Sequence, residues 1–307
     1  MSRPPLVVIA GPTASGKSAA ALALAQATGG TVINADSAQV YRDLRILSAR
    51  PSVVEEARAP HRLFGHIDGA EPCSAARWAT DARAAVADAT ARGSLPILVG
   101  GTGLYLRTLL DGIAPVPAID AALRAEVRAL PVAEAYRLLA AADPDAAARL
   151  APADTSRVAR ALEVVRATGR PLCDWQRERA GGIGEAHHVA GVVLLPDRDT
   201  LAPRIDTRLR AMFDEGAIDE VAVLLARDLD PDLPVMRAIG VPPIAALLAS
   251  ATTRDEAIAR TRLDTSRYAK RQRTWFHHQS PPGWTISDTP DAVPQQIITM
   301  LRDCALT

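Results

Sequence analysis

The chain has 307 residues, 48% of them hydrophobic, with 35 basic against 35 acidic side chains, so it can bury a large core and carries no net charge. Neutrality argues against an extended nonspecific coat of nucleic acid but leaves room for a local basic surface. No apolar run reaches membrane-spanning length, Met1-Ser2-Arg3-Pro4-Pro5 enters a strand too soon for a signal peptide, and Cys73, Cys173 and Cys304 lie far apart without metal-ligand spacing, which predicts a cytoplasmic protein with reduced thiols.

Leu6 to Ala10 is an apolar β-type run that delivers Gly11-Pro12-Thr13-Ala14-Ser15-Gly16-Lys17-Ser18 and then an Ala/Leu-rich helix to about Thr28. Strand, glycine loop and helix in that order form a phosphate cradle: backbone N–H groups close on an anion and the helix dipole points at the same place. Lys17 adds a point charge, and the Ser18 hydroxyl can ligate a Mg²⁺ that bridges phosphates. The 35 basic residues include only two lysines, Lys17 and Lys270. Where generic charge suffices the chain uses Arg, so Lys17 points to a need for a compact ammonium.

A second strand, Thr31 to Ala35, ends on Asp36-Ser37-Ala38-Gln39-Val40-Tyr41. In an open parallel sheet the carboxyl ends of strands line the ligand crevice, which puts Asp36 beside the phosphate loop, although an Asp there also serves as an N-cap. Residues 42–72 read as irregular, with His61 and His66 flanking a strand-like Arg62 to Gly65. A helix capped by Ser74 runs to Arg92, and Leu95 to Val99 forms a strand leading to Gly100-Gly101-Thr102. That loop suits close approach of a ligand or is a plain strand-to-helix turn.

From Ile119 to about Arg179 only helical patterns occur, interrupted at Pro131, Pro144, Pro152 and Pro171, which predicts a helical insertion. Asp154 caps a helix whose Arg157 and Arg160 share one face, as solvated basic pairs do. Val189 to Leu195 resumes the sheet, and Arg204 to Arg208 is expected to open the next helix with both arginines pointing the same way. After Arg237-Ala238-Ile239-Gly240, the segment Arg254 to Gln279 carries seven basic against three acidic residues, with Tyr268, Trp275 and Phe276 nearby, and reads either as a solvated face or as an RNA surface. His277 and His278 face apart on a helix and lack metal-ligand company. Pro290 to Arg302 reads as a closing helix.

The fold expected is α/β: a P-loop NTPase-like parallel sheet flanked by helices, with core residues 1–114 and 186–307 and an all-helical insertion at 115–185. The strand from Leu95 lacks the acidic residue that motor and switch ATPases place on Mg²⁺, which favours a transferase acting on a phosphorylated donor. A small-molecule or nucleoside kinase is the alternative enzyme, and a nucleotide-gated RNA-binding protein the non-catalytic one.

Taken together, Gly11 to Ser18, Asp36 to Tyr41, Gly100 to Thr102, Arg157 to Glu163, Arg204 to Arg208 and Tyr268 to Phe276 resemble the bacterial tRNA isopentenyltransferase (tRNA dimethylallyltransferase) family over nearly the whole chain. The resemblance implies transfer of a dimethylallyl group from dimethylallyl pyrophosphate to N6 of adenine 37 in tRNAs reading codons that begin with U. It implies that Gly11, Pro12, Thr13, Ala14, Ser15, Gly16, Lys17 and Ser18 hold the donor's pyrophosphate rather than ATP, with Mg²⁺ on Ser18. Asp36 is then the base, with Lys17, Arg208 and Thr102 as further catalytic residues. It further implies that Asp36, Ser37, Ala38, Gln39, Thr102, Arg124, Ser156, Arg157, Val158, Ala159, Arg160, Arg237, Lys270 and Arg271 meet the anticodon stem-loop, with no membrane and no obligate protein partner. Ser156 stands where the family commonly has Gln, and Val241-Pro242-Pro243 where it commonly has Tyr with a polar pair.

Overall fold

The computed structural model describes residues 3–305; Met1, Ser2 and the side chain of Cys304 fall outside the described residues. Six strands form one sheet: β1 (Pro5–Ala10), β2 (Thr31–Asn34), β3 (His61–Arg62), β4 (Pro96–Gly100), β5 (His188–Leu194) and β6 (Thr285–Ser287). Their spatial order is β3-β2-β4-β1-β5-β6, and every pairing is parallel. Leu6 to Ala10 are buried throughout because helices cover both faces of a parallel sheet, which is why the run shows no alternation. Register sets Ala10 opposite Gly100 on one side and Val193 on the other. The loops leaving β1 and β4 therefore start at one level, on one rim.

Helix α1 (Lys17–Thr28) buries Ala20, Ala21, Leu24 and Ala25, and its small side chains let it lie close to the sheet. It stops at Gly29, which takes the left-handed conformation at φ 66. The short α2 (Val53–Glu56) is closed by a capping box from Ser52 and Glu55. In α3 (Ala75–Ala91), Ser74 caps the first turn and Trp78 is fully buried. Trp78 stacks on Tyr105 of α4 (Gly103–Asp111) at 4.6 Å and donates its indole N–H to the Asn34 carbonyl at 2.9 Å, which fixes the end of β2.

The chain divides into two compact units, one ending at Leu109 and resuming at Ile183, the other spanning Leu110–Gly182. Ile113 and Ala180 exchange backbone hydrogen bonds at 3.0 Å in each direction and so close the second unit on itself. It consists of α5 (Ala121–Ala129), α6 (Val132–Ala142), α7 (Pro144–Arg149), α8 (Thr155–Thr168) and α9 (Leu172–Arg177). Its own apolar core is built from Val127, Leu139, Ala146, Val158, Leu162 and Val165 among others.

The first unit continues with α10 (Arg198–Asp214), α11 (Ala217–Leu225), α12 (Val241–Leu248), α13 (Arg254–Gln279) and α14 (Val293–Ala305), the last preceded by a 3-10 turn at Pro290–Ala292. The 26 residues of α13 begin in a capping box from Thr253 and Glu256. Its buried stripe is Ala257, Ile258, Thr261, Thr265, Ala269, Gln272 and Phe276, apolar at both ends and polar in the middle. None of the described helices is long and apolar enough to cross a membrane.

Two sequence expectations change and one strand is new. The strand before His66 is His61–Arg62 rather than Arg62 to Gly65, because Leu63 and Gly65 take positive φ and break the extended chain. The helix after β5 starts at Arg198, not Arg204, and runs through Pro203, so Arg204 and Arg208 lie in its middle. The strand β6 has only three residues, too short a signal to read in the sequence, and exists through its pairing with β5.

Candidate active site

Lys17 begins α1, so its backbone N–H and those of the rest of the first turn have no acceptor inside the helix. The loop reaches this geometry through Ala14 at φ 64 and Gly16 at φ 92, the latter so close to Pro290 that a Cβ would lie 2.8 Å from the proline Cβ. The Lys17 ammonium is buried and donates to the Pro12 carbonyl at 3.2 Å. Burial lowers its pKa from 10.5 to about 8, with Asp36 acting to raise it and Arg208 to lower it further. The Ser15 hydroxyl is also buried, and Oγ has no hydrogen-bond partner within the chain.

Two distant side chains fix the loop. Arg208 of α10 donates to the Thr13 hydroxyl, and Gln272 of α13 accepts from the Thr13 N–H at 2.9 Å. The Gln272 amide also donates to the Gly101 carbonyl at 2.9 Å, tying the loops after β1 and β4 together. A Cβ on Gly101 would sit 2.0 Å from Gln272 Nε2, and one on Gly100 2.1 Å from the Ala35 carbonyl oxygen. The glycine pair that the sequence left open therefore admits neighbouring protein groups, not a ligand.

Asp36 follows β2 and is buried. Asn34 holds its backbone by accepting from the Asp36 N–H at 2.9 Å and donating to the Asp36 carbonyl at 3.0 Å. The carboxylate Oδ1 accepts from the Ala38 N–H at 3.0 Å, so Asp36 does cap the turn, yet it also lines the cavity with Lys17 and Arg208. One residue satisfies both readings of the sequence.

The cavity measures about 360 Å³. Its lining includes the polar side chains of Thr13, Lys17, Ser18, Asp36, Arg208 and Arg271 and the apolar ones of Leu44, Leu47, Ile205, Leu209, Met212 and Ile239. A cavity of this size that offers both charged and apolar groups suits an amphiphile with an anionic head and a short hydrocarbon. Glu220 of α11 holds one wall by accepting from the backbone N–H groups of Arg45, Ile46 and Leu47 at 2.5, 2.9 and 2.9 Å. Gln39 holds the same wall by donating to the carbonyls of Ser48 and Ala49 at 3.0 and 2.9 Å.

The sequence matches the family described as IPP transferase over residues 39–279 and that described as isopentenyl transferase over residues 4–68. The chain belongs to the IPP transferase family. It is 61% identical to a tRNA dimethylallyltransferase of Sphingopyxis alaskensis, covering 98% of this chain and 100% of that protein. A second, of Erythrobacter litoralis, is 58% identical over 94% of this chain and 93% of its own. Among solved structures, the full-length tRNA isopentenylpyrophosphate transferase of Bacillus halodurans superposes with a TM-score of 0.70 at 32% identity, covering 98% and 97% of the two chains. A eukaryotic dimethylallyltransferase acting on tRNA superposes with a TM-score of 0.77 at 30% identity, covering 89% of this chain and 70% of that one.

Within this IPP transferase, the residues expected at the site fall into distinct groups. Thr13, Lys17, Ser18, Asp36, Ser37, Ala38, Gln39, Arg208, Arg237 and Arg271 line the cavity. Thr102 is not among them; its hydroxyl accepts from the Ser37 N–H at 2.9 Å and donates to the Ser37 hydroxyl at 3.2 Å. Arg204 is exposed and does not line the cavity; it shares a face of α10 with Arg208 but lies one turn earlier along the axis. Val158 and Ala159 are buried in the second unit's core, where their side chains cannot meet RNA. On α13, Arg260 and Arg267 both pair with Asp264, and Phe276 is core, so the expected basic stripe with aromatics reduces at the cavity to Tyr268 and Arg271, stacked at 5.6 Å. The residues that sequence reading missed are Gln272 and Glu220; Tyr268, expected only as an aromatic beside the basic residues, lines the cavity, and burial keeps its phenol protonated, reinforced by Asp36. Gln272 had one available signal: a polar residue at a core position of α13.

Proposed function

We infer that the protein transfers a dimethylallyl group from dimethylallyl pyrophosphate to N6 of adenine 37 in tRNA, releasing pyrophosphate. The single observation that carries this reading is a cavity lined both by Lys17, Arg208 and Asp36 and by the apolar side chains of Leu44, Leu47, Leu209 and Met212. A kinase needs no such apolar chamber beside its phosphate loop, and the sequence relatives do not favour that alternative.

In this reading the α1 N-terminus, Lys17, Arg208 and the Ser15 hydroxyl neutralise the pyrophosphate as the allylic C–O bond breaks. The hydrocarbon lies against Leu44, Leu47, Leu209 and Met212, which exclude water from the electrophilic carbon. The adenine N6 lone pair forms the new C–N bond, and its proton passes to Asp36, held by Asn34 and the Ala38 N–H. Adenine 37 reaches the cavity by leaving the anticodon-loop stack, at a cost of a few kcal/mol.

No group of three or more His, Cys, Asp or Glu that could hold a metal occurs among the described residues, so the chain offers no cage for one. The Ser18 hydroxyl on the cavity wall does suit Mg²⁺, which keeps most of its waters and binds through one or two protein oxygens plus phosphates. When bound, Mg²⁺ supplies charge neutralisation of the departing pyrophosphate.

Incubation with unmodified tRNA and labelled dimethylallyl pyrophosphate, without ATP, should label adenine 37 and release pyrophosphate stoichiometrically. ATP consumption in the absence of RNA, with no label transferred, would overturn the reading in favour of a kinase.

A further inference from the structure

In the helical unit, Glu163 of α8 is 0% exposed, an unfavourable place for a carboxylate. Its Oε1 accepts from Arg128 Nε at 2.8 Å. Its Oε2 is buried without a hydrogen-bond partner, with Arg160 Nη1 at 3.6 Å and Arg124 Nε at 4.0 Å. Arg124 and Arg128 lie one turn apart on α5, and Arg160 lies one turn before Glu163 on α8. Three guanidiniums from two helices thus converge on a single anion.

The arginine side chains are 44%, 63% and 42% exposed at 124, 128 and 160, while the carboxylate is not. Three positive charges against one negative leave two uncompensated at the surface. A carboxylate that served packing alone would need one partner, and replacing such a pair by apolar groups is often neutral or stabilising.

We propose that Glu163 is a positioning residue for an RNA-phosphate site formed by Arg124, Arg128 and Arg160, with Arg128 a further binding residue. Arg160 and Arg124 are held at ion-pair range, not by hydrogen bonds, so their planar donors remain available for bidentate contact with phosphate oxygens. Glu163 restricts the arcs through which three long side chains move and so reduces what is lost in ordering them on the RNA. The inference rests on tRNA being the substrate.

The test measures binding of the full chain to unmodified tRNA across a salt series without donor, alongside steady-state kinetics with dimethylallyl pyrophosphate. Arg128→Ala, at an exposed position, should raise the KM for tRNA about tenfold and reduce the slope of log K against log salt by roughly 1, with kcat and donor KM unchanged. Arg128→Lys should restore the slope and only part of the KM, since an ammonium supplies charge without the planar fork. Glu163→Gln keeps an acceptor for Arg128 yet should weaken tRNA binding about fivefold, although the protein loses a negative charge. Tighter binding by Glu163→Gln, or an unchanged slope and KM in Arg128→Ala, overturns the proposal and leaves Glu163 as a neutralising group. Should Glu163→Gln fail to fold, the two Arg128 variants decide alone. Absence of label transfer by the unaltered protein would count against the prenyl-transfer reading, whereas the donor-free salt slopes bear on the arginine site separately.

Discussion

Around the cavity, Lys17 and Arg208 are withdrawn from water and Arg208 reaches its partner Thr13 across 195 positions of the chain, whereas the arginines of α5 and α8 stand half-exposed and meet acids within one small bundle. Burial works against the charge of both cavity cations, with Asp36 acting in the opposite direction. That arrangement is unfavourable until an anion arrives, and then strong, because few water dipoles compete. Half-exposed arginines forgo that strength and gain adaptability, which suits an irregular polyanion. On the proposed reading, cationic side chains serve chemistry where they are dry and grip where they are wet.

Breaking the dry side should give the largest effects. Lys17→Met keeps the length and removes the buried charge; kcat/KM should fall about 10²–10³-fold while the melting temperature stays level or rises, a combination visible by pairing kinetics with calorimetry. Asp36→Asn should lower kcat by about 10²–10⁴-fold with both substrates still bound, measured by single-turnover transfer; an unchanged rate would remove Asp36 from the role of base proposed for it.

A pH series sharpens the same contrast. The Lys17 ammonium of the donor-free protein loses its proton near pH 8, so donor affinity should be level below that value and fall as pH rises above it, by up to about tenfold per unit. Bound pyrophosphate favours the charged form and shifts the break upward. In Lys17→Met the break should vanish in a fluorescence titration of the donor.

Smaller effects follow from the supports. Gln272→Ala unpairs the Thr13 N–H and the Gly101 carbonyl, at about 1–3 kcal/mol for a buried group left unsatisfied, and should raise the donor KM more than it lowers kcat. At the wet extreme, Arg166→Ala breaks a 2.9 Å pair with the exposed Glu126, and chemical denaturation should register less than about 1 kcal/mol with transfer unchanged.

Much of this organisation was legible beforehand for a local reason. The phosphate loop, the Ser74 and Asp154 caps and the whole of α13 are written in contiguous residues, where a strand pattern, a glycine or a capping hydroxyl acts on neighbours a few positions away. Asp36 was legible because the carboxyl end of a parallel strand has a known side of the sheet to face. Helical spacing gave Arg204 and Arg208 one direction, but only Arg208 lies at the right height on α10 to line the cavity. Val158 and Ala159 misled because a binding segment was carried over whole, while α8 turns only part of it outward.

The sequence by itself determined a phosphate loop on a parallel sheet, a helical insertion and a carboxylate at the rim, and through resemblance the family to which the chain belongs. Only the tertiary structure decided that Gly100 and Gly101 make room for Ala35 and Gln272, that Thr102 bonds to Ser37, and that Glu163 gathers three arginines. Each of those is a contact between residues distant in the chain, fixed by the packing of whole elements. No local propensity encodes it, because the side chains involved would form the same helix or turn whichever partner they met.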